Sequence, residues 1–427
     1  MQYVKTINCA VMVLFLICYS YQFFYIPVAL FKKRKPHSPE KLNRIAVLIA
    51  ARNEQSVIGQ LIDSLKGQSY PVQLLDIYVG ADNCTDATCD VARAHGAVVY
   101  ERFDTQKVGK GYVLNFLLNK IKQSGQKYDA YVVLDADNIV DVNFITEINR
   151  VYCDGYDIVT CYRNSKNYGD NWISAGYALW FLREARYLNG ARFSLGSSCA
   201  VSGTGFLFSE RIIKSCGGWN FFLLTEDIEF SIYNITNGMK IGYAADAVIY
   251  DEQPVSFAQS WRQRLRWSRG YLQVFGRYWR KLLTGICRGS FSCFDMTMNI
   301  MPAAVLTGIS TAVNLAAVAY NFASHSSFAE LAGAALTIAA GLYSTMFVLG
   351  AITTATEWKN IMCPSAKKVL YVFTFPLFML TYIPICIVSL FYDPGWKPIT
   401  HNRCVNLGEG QGINRPREKA LMNQKVG

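Results

Sequence analysis

The stretch AYVVLDADN (130–138) is an apolar run that ends in two aspartates, Asp135 and Asp137. A buried strand that ends in two carboxylates is costly without a counter-charge. A hard divalent cation supplies one, and Mg²⁺ or Mn²⁺ prefers carboxylate oxygens together with substrate phosphates. A pair of exposed aspartates in a turn is the plainer alternative. The stretch by itself therefore predicts either a metal-binding strand end or a solvated turn.

Strands and helices alternate around this stretch. Three more strands are predicted at RIAVLIAARNE (44–54), LLDIYVGADN (74–83) and AVVYER (97–102), with helices at about 55–67, from the N-cap Thr85 and at 109–121. This alternation predicts a mostly parallel, Rossmann-like α/β sheet covered by helices. Neither GxGxxG nor GxxxxGK[ST] occurs, so the standard dinucleotide and P-loop sites lack support.

Polar residues stand at the carboxyl ends of these strands, where such sheets bind ligands. Asn53 and Glu54 follow the first strand, and Asp82 and Asn83 close the second. Asp82 ends a strand in the same layer as Asp135, and its carboxylate could accept hydrogen bonds from a ribose or a base. This neighbour favours a nucleotide and metal site over the solvated turn.

The two ends of the chain are apolar. Uncharged runs occupy Ile7–Phe31, Met296–Ala329, Leu331–Thr356 and Val369–Tyr392. Because a helix needs roughly 20 apolar residues to cross a bilayer, four membrane segments are candidates. A cleaved signal peptide is the alternative for the first run, but the run is too long and is followed by basic residues. Those residues, Lys32–Lys35, favour a cytoplasmic location for the chain that follows.

The tail conflicts with four crossings. It carries six basic residues, which favour the cytoplasm: Lys397, Arg403, Arg415, Arg417, Lys419 and Lys425. Since Pro376 and Pro384 interrupt the last run, we expect that run to be broken, re-entrant or interfacial, which leaves three full spans. The expected regions are a membrane helix with its basic stop (1–35), a cytoplasmic α/β domain (36–290), membrane or interfacial helices (291–392) and a cytoplasmic tail (393–427).

Charge and cysteine usage agree with a cytosolic face. The net charge of +11 suits anionic lipid heads and anionic nucleotides. No nucleic-acid-binding module is recognisable, so nucleic acid is not an expected partner. Thirteen scattered cysteines without a CxxC pattern indicate a reducing compartment rather than a disulfide framework or a zinc site.

Three further segments carry candidate chemistry. In LLTEDIEF (223–230), Glu226 and Asp227 either begin a capped helix or supply a general base for an acceptor hydroxyl. In SGTGFLF (202–208), small residues let the backbone approach a ligand closely. Lys110, beside glycines before a helix, either holds a phosphate or is solvated.

The segment SWRQRLRWSRG (260–270) concentrates basic and aromatic residues. On a helix, Gln263, Arg266 and Trp267 share one face. The arginine fork suits a phosphate, and the tryptophan offers a flat surface for a sugar ring. The alternative is an interfacial helix that meets lipid heads. Both interpretations can hold on different faces, and we expect Arg262, Arg269 and Arg277 to meet lipid.

The order of these segments, an acidic strand end, then DxD, TED and QxxRW between membrane helices, resembles the membrane-embedded family 2 glycosyltransferases. That family includes cellulose, chitin, hyaluronan and poly-N-acetylglucosamine synthases, and the resemblance covers about residues 44–282. It implies a GT-A domain on the cytoplasmic face of the plasma membrane. It also implies inverting transfer from a UDP-sugar, with β-linked products. The gating-loop pattern FxVTxK of cellulose synthases is missing.

The resemblance also implies roles for individual residues. Glu54 and Asp82 are expected to contact the uridine, and Lys110 the nucleotide. Asp135 and Asp137 should bind the diphosphate and its Mg²⁺ or Mn²⁺. Asp227 is the expected base, with Glu226 beside it. The diphosphate and the acceptor end should lie against Gln263, Arg264, Arg266 and Trp267. Trp396 matches a lid position, although an interfacial tryptophan remains the alternative.

Three functions are compatible with the sequence. The first is a processive synthase that polymerises and exports a β-linked polysaccharide, with UDP-glucose slightly favoured over UDP-N-acetylglucosamine. The second is an enzyme that adds one sugar to a membrane lipid or lipid carrier. The third is an inactive membrane scaffold or nucleotide-sensing subunit, which the complete set of expected catalytic residues disfavours.

Overall fold

The computed structural model describes residues 2–31, 41–323 and 328–396. The basic cluster Lys32–Lys35 and the basic tail from Lys397 onwards lie outside the described residues.

An eight-stranded mixed sheet forms the centre of the α/β domain (residues 41–256). Its strands are β1 (Ile45–Ala51), β2 (Leu75–Asp82), β3 (Val98–Arg102), β4 (Ala130–Asp135), β5 (Ile139–Val140), β6 (Ile158–Ser165), β7 (Phe206–Ser209) and β8 (Ile241–Asp251). The spatial order is β3-β2-β1-β4-β7-β6-β8-β5, with β1 parallel to both β2 and β4 and with β7 antiparallel to β4. The predicted mostly parallel, Rossmann-like sheet is confirmed.

Sixteen helices are found in the described ranges. They are α1 (Gln2–Tyr19), α2 (Tyr21–Phe31), α3 (Ile58–Lys66), α4 (Thr88–Ala94), α5 (Lys110–Gln123), α6 (Phe144–Cys153), α7 (Trp172–Arg183), α8 (Gly190–Leu195), α9 (Glu210–Ser215), α10 (Glu226–Thr236), α11 (Phe257–Cys287), α12 (Phe291–Ile300), α13 (Pro302–Ala323), α14 (Phe328–Thr356), α15 (Ser365–Leu380) and α16 (Tyr382–Phe391). A short 3₁₀ turn covers Val72–Leu74, and a π-helix, Glu184–Asn189, joins α7 to α8.

Both faces of the sheet are covered. Along β1, Val47 and Ile49 pack in one apolar core with α3, whereas Ala46 and Leu48 pack in the other with α5. Successive strand residues point to opposite faces, so a strand covered on both sides is apolar throughout. The continuous apolar run in the sequence follows from this burial.

The register of the sheet brings the polar strand ends to one edge. Ala51 lies opposite Ala81, and Ala50 lies opposite Asp135. Residues just beyond β1, β2 and β4 therefore meet in one place. Thr85 is not the N-cap of α4, which begins at Thr88; instead, the Thr85 amide donates to Asn53 Oδ1 (2.8 Å) and ties the ends of β1 and β2 together.

Three helical segments are long and apolar enough to cross a membrane: Thr6–Phe31, Ala339–Thr356 and Ser365–Phe391. A fourth is the pair Phe291–Ile300 and Val305–Ala316, which is bent by 41°. All four predicted runs are therefore helical where described, and a sharp bend falls at the start of the second run.

Buried ionic groups fasten these helices to the α/β domain. The Arg192 guanidinium on α8 donates to the Asp295 carboxylate of α12 (2.6 and 3.0 Å), and both side chains are almost fully buried. Tyr21 and Tyr25 of α2 donate their hydroxyl groups to the same carboxylate (2.6 and 2.9 Å). The charge on Asp295 is thus fully partnered, as a buried charge requires.

Helix α11 passes close to the loop before α10. A Cβ atom at Gly270 would lie 2.6 Å from Thr225 Cγ2, whereas no atom lies within 4 Å of one at Gly276 on the same helix. Glycine weakens a helix interior, so its presence at position 270 is explained by the close approach.

We expect Gly270→Ala to destabilise the protein by about 1–3 kcal/mol, because the added methyl group overpacks the contact with Thr225. Gly276→Ala is the matched control and should be neutral or stabilising by up to about 1 kcal/mol. Thermal unfolding of the detergent-solubilised protein measures both. Equal melting temperatures for the two variants would contradict the packing argument.

Candidate active site

One cavity of about 440 Å³ lies at the edge where the strand ends meet. Ten of the eleven predicted site residues line it: Glu54, Asp82, Lys110, Asp135, Asp137, Glu226, Asp227, Gln263, Arg266 and Trp267. The eleventh, Arg264, lies elsewhere.

One wall of the cavity is built on β1 and β2. We call it the donor side, because the nucleotide of the sugar donor is expected there. Asn53 and Asn83, which follow these strands, adopt positive φ angles of 57° and 51°, a conformation that asparagine tolerates better than most residues. The Asp82 carboxylate is buried and accepts a hydrogen bond from the Arg102 guanidinium. This ion pair fixes an acceptor group at the place where a ribose or base is expected.

The DxD aspartates at the end of β4 are held in place by their neighbours. Asp135 pairs with the Lys110 ammonium group, and its backbone N–H donates to Thr204 Oγ1 (2.9 Å). Asp137 Oδ2 accepts from the backbone N–H of Glu252 (3.1 Å). These contacts order the end of β4 and favour the metal-binding strand end over the solvated turn.

The charged side chains that line the cavity suit a divalent cation. Nine carboxylates but only four Lys or Arg side chains line the cavity, so negative charge is in excess. Within the described ranges, no group of three or more His, Cys, Asp or Glu side chains is arranged to hold a metal. A cation here would therefore depend on Asp135, Asp137 and substrate phosphate oxygens, which is how Mg²⁺ is commonly bound.

Glu226 and Asp227 form the first turn of α10. Thr225 precedes them but makes no capping hydrogen bond with its side chain. Burial raises the pKa of Glu226 to about 7, and the neighbouring Asp227 charge adds to this effect. Burial also raises the pKa of Asp227, whose Oδ2 accepts from the Gly203 N–H (2.6 Å). A carboxylate with a raised pKa is a better proton acceptor near neutral pH.

The segment Ser202–Gly203–Thr204 connects the two sides of the site. The Gly203 N–H donates to Asp227, while the Gly203 carbonyl accepts from Lys110 Nζ (2.8 Å). Gly203 has a φ of 75°, a conformation that favours glycine. SGTGFLF was predicted to bring its backbone close to a ligand; in the structure this backbone orients the Asp227 carboxylate and Lys110.

On α11, Gln263, Arg266 and Trp267 face the cavity as predicted. Gln263 Oε1 and Arg266 Nε are buried and have no hydrogen-bond partner among the residues that the structure describes. Orphaned buried polar atoms are costly, and a ligand in the cavity would satisfy them. Trp267 packs edge-on against Tyr177 and Phe181, with ring centroids 5.7 and 6.1 Å apart.

Arg264 was expected at the diphosphate, and this expectation is wrong. Its side chain is fully buried, and Nη1 donates to the Phe378 carbonyl (3.2 Å) and to Thr381 Oγ1 (2.7 Å). Arg264 precedes Arg266 by two residues, or about 200° around a helix. It therefore points away from the cavity and joins α11 to the junction of α15 and α16.

Two arginines that were expected to meet lipid also have protein partners, and their contact with lipid stays a prediction. Arg269 Nη1 donates to the Ser389 carbonyl near the end of α16 (3.2 Å). Arg277 pairs with Glu229 (2.8 Å), a fully buried carboxylate that also accepts from the backbone N–H groups of Phe222 and Leu223. Arg277 therefore neutralises the charge that orders the loop before Thr225. Arg262 is exposed, and its contact with lipid stays a prediction.

The structure adds cavity residues that the sequence analysis did not identify. On the α/β domain and α11 they are Arg52, Arg163, Trp180, Glu184 and Tyr271; on the membrane-side helices they are Asn299, Ile300, Thr307, Met379, Tyr382, Ile383 and Cys386. Tyr271 could have been found, since it lies four residues after Trp267 on one helix face. The others required the tertiary fold.

Trp396 also lines the cavity. Its ring centroid lies 5.4 Å from the Arg52 guanidinium carbon, on the donor side. The lid role and the interfacial alternative both stay predictions.

A comparison with solved structures supports the fold. A mannosyltransferase from Pyrobaculum calidifontis, PcManGT, solved in complex with GDP-Man and Mn²⁺, superposes with a TM-score of 0.57 at 16% sequence identity, covering 89% of this chain and 98% of that one. At this identity, the likeness shows the fold alone.

Curated relatives share about a quarter of their aligned residues with this chain. A probable glycosyltransferase of Bacillus subtilis, YdaM, is 26% identical, with 54% of this chain and 56% of the relative covered. The β-monoglucosyldiacylglycerol synthase of Synechocystis is 24% identical (56% and 50% covered), and a poly-β-1,6-N-acetyl-D-glucosamine synthase of Staphylococcus epidermidis is 22% identical (57% and 59%). The matched region thus spans about half the length of each relative.

A family model described as glycosyltransferase-like family 2 matches residues 43–270, which is more than half of the chain. This region contains the DxD aspartates, the TED carboxylates and the QxxRW face that meet in the cavity. The protein therefore belongs to glycosyltransferase-like family 2.

Proposed function

We propose that this protein is an inverting, processive glycosyltransferase. It transfers glucose or N-acetylglucosamine from a UDP-sugar to a growing β-linked polysaccharide at the cytoplasmic face of the membrane. One observation carries the proposal: a single cavity joins the DxD aspartates and Asp227 to aromatic and polar side chains of the membrane-side helices.

The donor diphosphate fits between β4 and α11. Asp135 and Asp137 would hold Mg²⁺ or Mn²⁺, which neutralises charge on the departing UDP when bound. Lys110 and Arg266 provide cationic groups on either side of the same space. The buried, unpartnered Arg266 Nε gains a phosphate oxygen as its acceptor.

Asp227 is placed to act as the base. The hydrogen bond from the Gly203 N–H holds one carboxylate oxygen, which leaves the other to take the proton of the acceptor hydroxyl. Attack on the face opposite UDP inverts the configuration of the transferred sugar, so an α-linked donor gives a β linkage.

The acceptor reaches Asp227 from the membrane side. Aromatic rings of Trp180, Trp267, Tyr271 and Tyr382 line this part of the cavity, together with Asn299 and Thr307. Aromatic faces and polar groups together suit a sugar chain, which has apolar ring faces and polar edges. A bound chain end held in this way stays in position for the next transfer.

A second candidate function is the transfer of a single sugar to a membrane lipid. Apolar Ile300, Met379 and Ile383 also line the cavity, and glucosyldiacylglycerol synthases are among the similar proteins. Both candidates use the same donor chemistry, and they differ in the acceptor.

We also propose three membrane crossings, made by α1–α2, α12–α13 and α14. The pair α15–α16 forms one continuous apolar segment without a sharp bend. Both of its ends lie against the same domain, because Lys367 Nζ near its start donates to the Gly169 carbonyl (2.7 Å) and Trp396 beyond its end contacts Arg52. Both partners belong to the α/β domain. This arrangement supports the interfacial interpretation of the last apolar run and a cytoplasmic tail.

Product size tests the proposed function. Purified protein with UDP-glucose or UDP-N-acetylglucosamine and Mg²⁺ or Mn²⁺ should give polymers of many sugar units, because the chain end remains bound between transfers. Size-exclusion chromatography of radiolabelled product measures this outcome. A glycolipid with one added sugar as the sole product would establish the second candidate instead.

Asp227→Asn should abolish UDP release, with a loss of at least about 10²–10⁴-fold, because the amide cannot accept the proton. UDP binding should be retained, and calorimetry measures it. Unchanged turnover in Asp227→Asn would exclude Asp227 as the base.

In the wild type, activity should fall as the pH drops through about 7, since the Glu226–Asp227 pair then gains a proton.

The membrane topology is tested with terminal tags. In intact cells, a carboxy-terminal tag should resist external protease and become accessible only after permeabilisation, because three crossings place it inside. An amino-terminal tag is the control and should be cleaved from outside. Cleavage of the carboxy-terminal tag in intact cells would indicate four crossings.

A further inference from the structure

We propose that Glu184 and Tyr271 bind the acceptor sugar between Trp180 and Trp267, so that the acceptor must be a carbohydrate with at least two hydroxyl groups. This inference rests on the proposed function and specifies the chemistry of its acceptor.

The four side chains come from two helices that pack together. Trp180 and Glu184 are four residues apart where α7 continues into the π-helix, and Trp267 and Tyr271 are four residues apart on α11. Residues at this spacing share a helix face. Contact between Phe181 and Trp267, with ring centroids 6.1 Å apart, sets the two faces side by side along the cavity.

The π-helix places Glu184 on the cavity. Such segments are rare in proteins and occur frequently at functional sites. Glu184 accepts one hydrogen bond, from Ser202 Oγ (3.3 Å), and a carboxylate has room for several more. Ser202 directly precedes Gly203, whose N–H holds Asp227, so Glu184 lies close to the base.

The Tyr271 hydroxyl faces the same space. It makes no hydrogen bond to any described residue, although it lines the cavity beside charged groups. Tyr271, Glu184 and Asp227 all line the cavity. Burial raises the pKa of Tyr271, and the charges of Glu184 and Asp227 add to this effect, so the hydroxyl stays protonated. A neutral hydroxyl donor beside two acceptors is complementary to a ligand that carries hydroxyl groups of its own.

A pyranose ring satisfies all four side chains. The indole rings of Trp180 and Trp267 would cover its apolar faces, while Asp227 receives the attacking hydroxyl. A second hydroxyl would donate to Glu184, and Tyr271 would donate to an oxygen of the same sugar. Diacylglycerol offers one hydroxyl group, which Asp227 takes, and its ester oxygens can only accept hydrogen bonds, so it would leave the Glu184 carboxylate without a donor from the ligand.

The test compares two acceptors in the full-length protein in detergent. Cellobiose or N,N′-diacetylchitobiose is the saccharide probe, dioleoylglycerol is the lipid probe, and UDP release with water alone reports donor hydrolysis. Glu184→Gln and Tyr271→Phe should each raise the KM for the saccharide about tenfold or more, which corresponds to ~1.4 kcal/mol. The KM for the donor and the rate of donor hydrolysis should not change.

Tyr233→Phe is the matched control. Tyr233 lies on α10, packs against Phe221 and Tyr278, and does not line the cavity. It should leave the saccharide KM unchanged. If Glu184→Gln does not fold, Tyr271→Phe, which removes one oxygen atom, still decides the question.

Three outcomes overturn the inference. An unchanged saccharide KM in Tyr271→Phe shows that its hydroxyl does not meet the acceptor. A parallel fall in donor hydrolysis shows a structural or donor role. Transfer to dioleoylglycerol but to neither saccharide shows a lipid acceptor while the donor chemistry stands. If the wild type releases no UDP from either donor, the proposed function itself fails, before any variant is compared.

Discussion

The peptide groups of Gly203 set the geometry of the whole site. The Gly203 N–H donates to Asp227 and its carbonyl accepts from Lys110, which in turn pairs with Asp135. One residue thus fixes the distance between the expected diphosphate site and the expected base. The proposed donor sugar would lie between them, so movement of this segment would misplace both partners of the proposed reaction. The next glycine, Gly205, is equally constrained, since a Cβ atom there would lie 2.3 Å from Cys161 Sγ.

Buried charges bind the membrane-side helices to the α/β domain at separate places. Arg192 and Asp295 join α8 to α12, and Glu357, just after α14, accepts from the Tyr162 hydroxyl on β6. Arg264 joins α11 to the junction of α15 and α16. Arg192, Asp295 and Glu357 find these partners only when the helices dock in this arrangement, and Arg264 reaches its acceptors on the junction of α15 and α16 in the same way. The contacts therefore fix where the helices dock. A cavity with walls from both regions follows from that docking.

The arginines of SWRQRLRWSRG show where prediction from sequence stops. Helical periodicity placed Gln263, Arg266 and Trp267 together, and the structure confirms that they line the cavity. Periodicity could not say what lies opposite the other face. There, Arg264 and Arg269 meet backbone carbonyls of α15 and α16, more than a hundred residues later in the chain. A basic segment that was expected to divide between nucleotide and lipid divides in the structure between the cavity and protein contacts, with Arg262 exposed.

The sequence by itself determined the first four strands and the mostly parallel class of the sheet, the apolar segments and the order of the acidic and basic motifs. Strand burial, helix length and local charge are properties of short stretches. It also identified ten residues that line the cavity, since strand ends and one helix face are local features. Only the tertiary structure decided the contact of Glu184 with Ser202, the partners of Arg264 and Arg277, and the position of Trp396 beside Arg52. Those depend on contacts between elements far apart in the chain, and no local pattern encodes which element will pack against which.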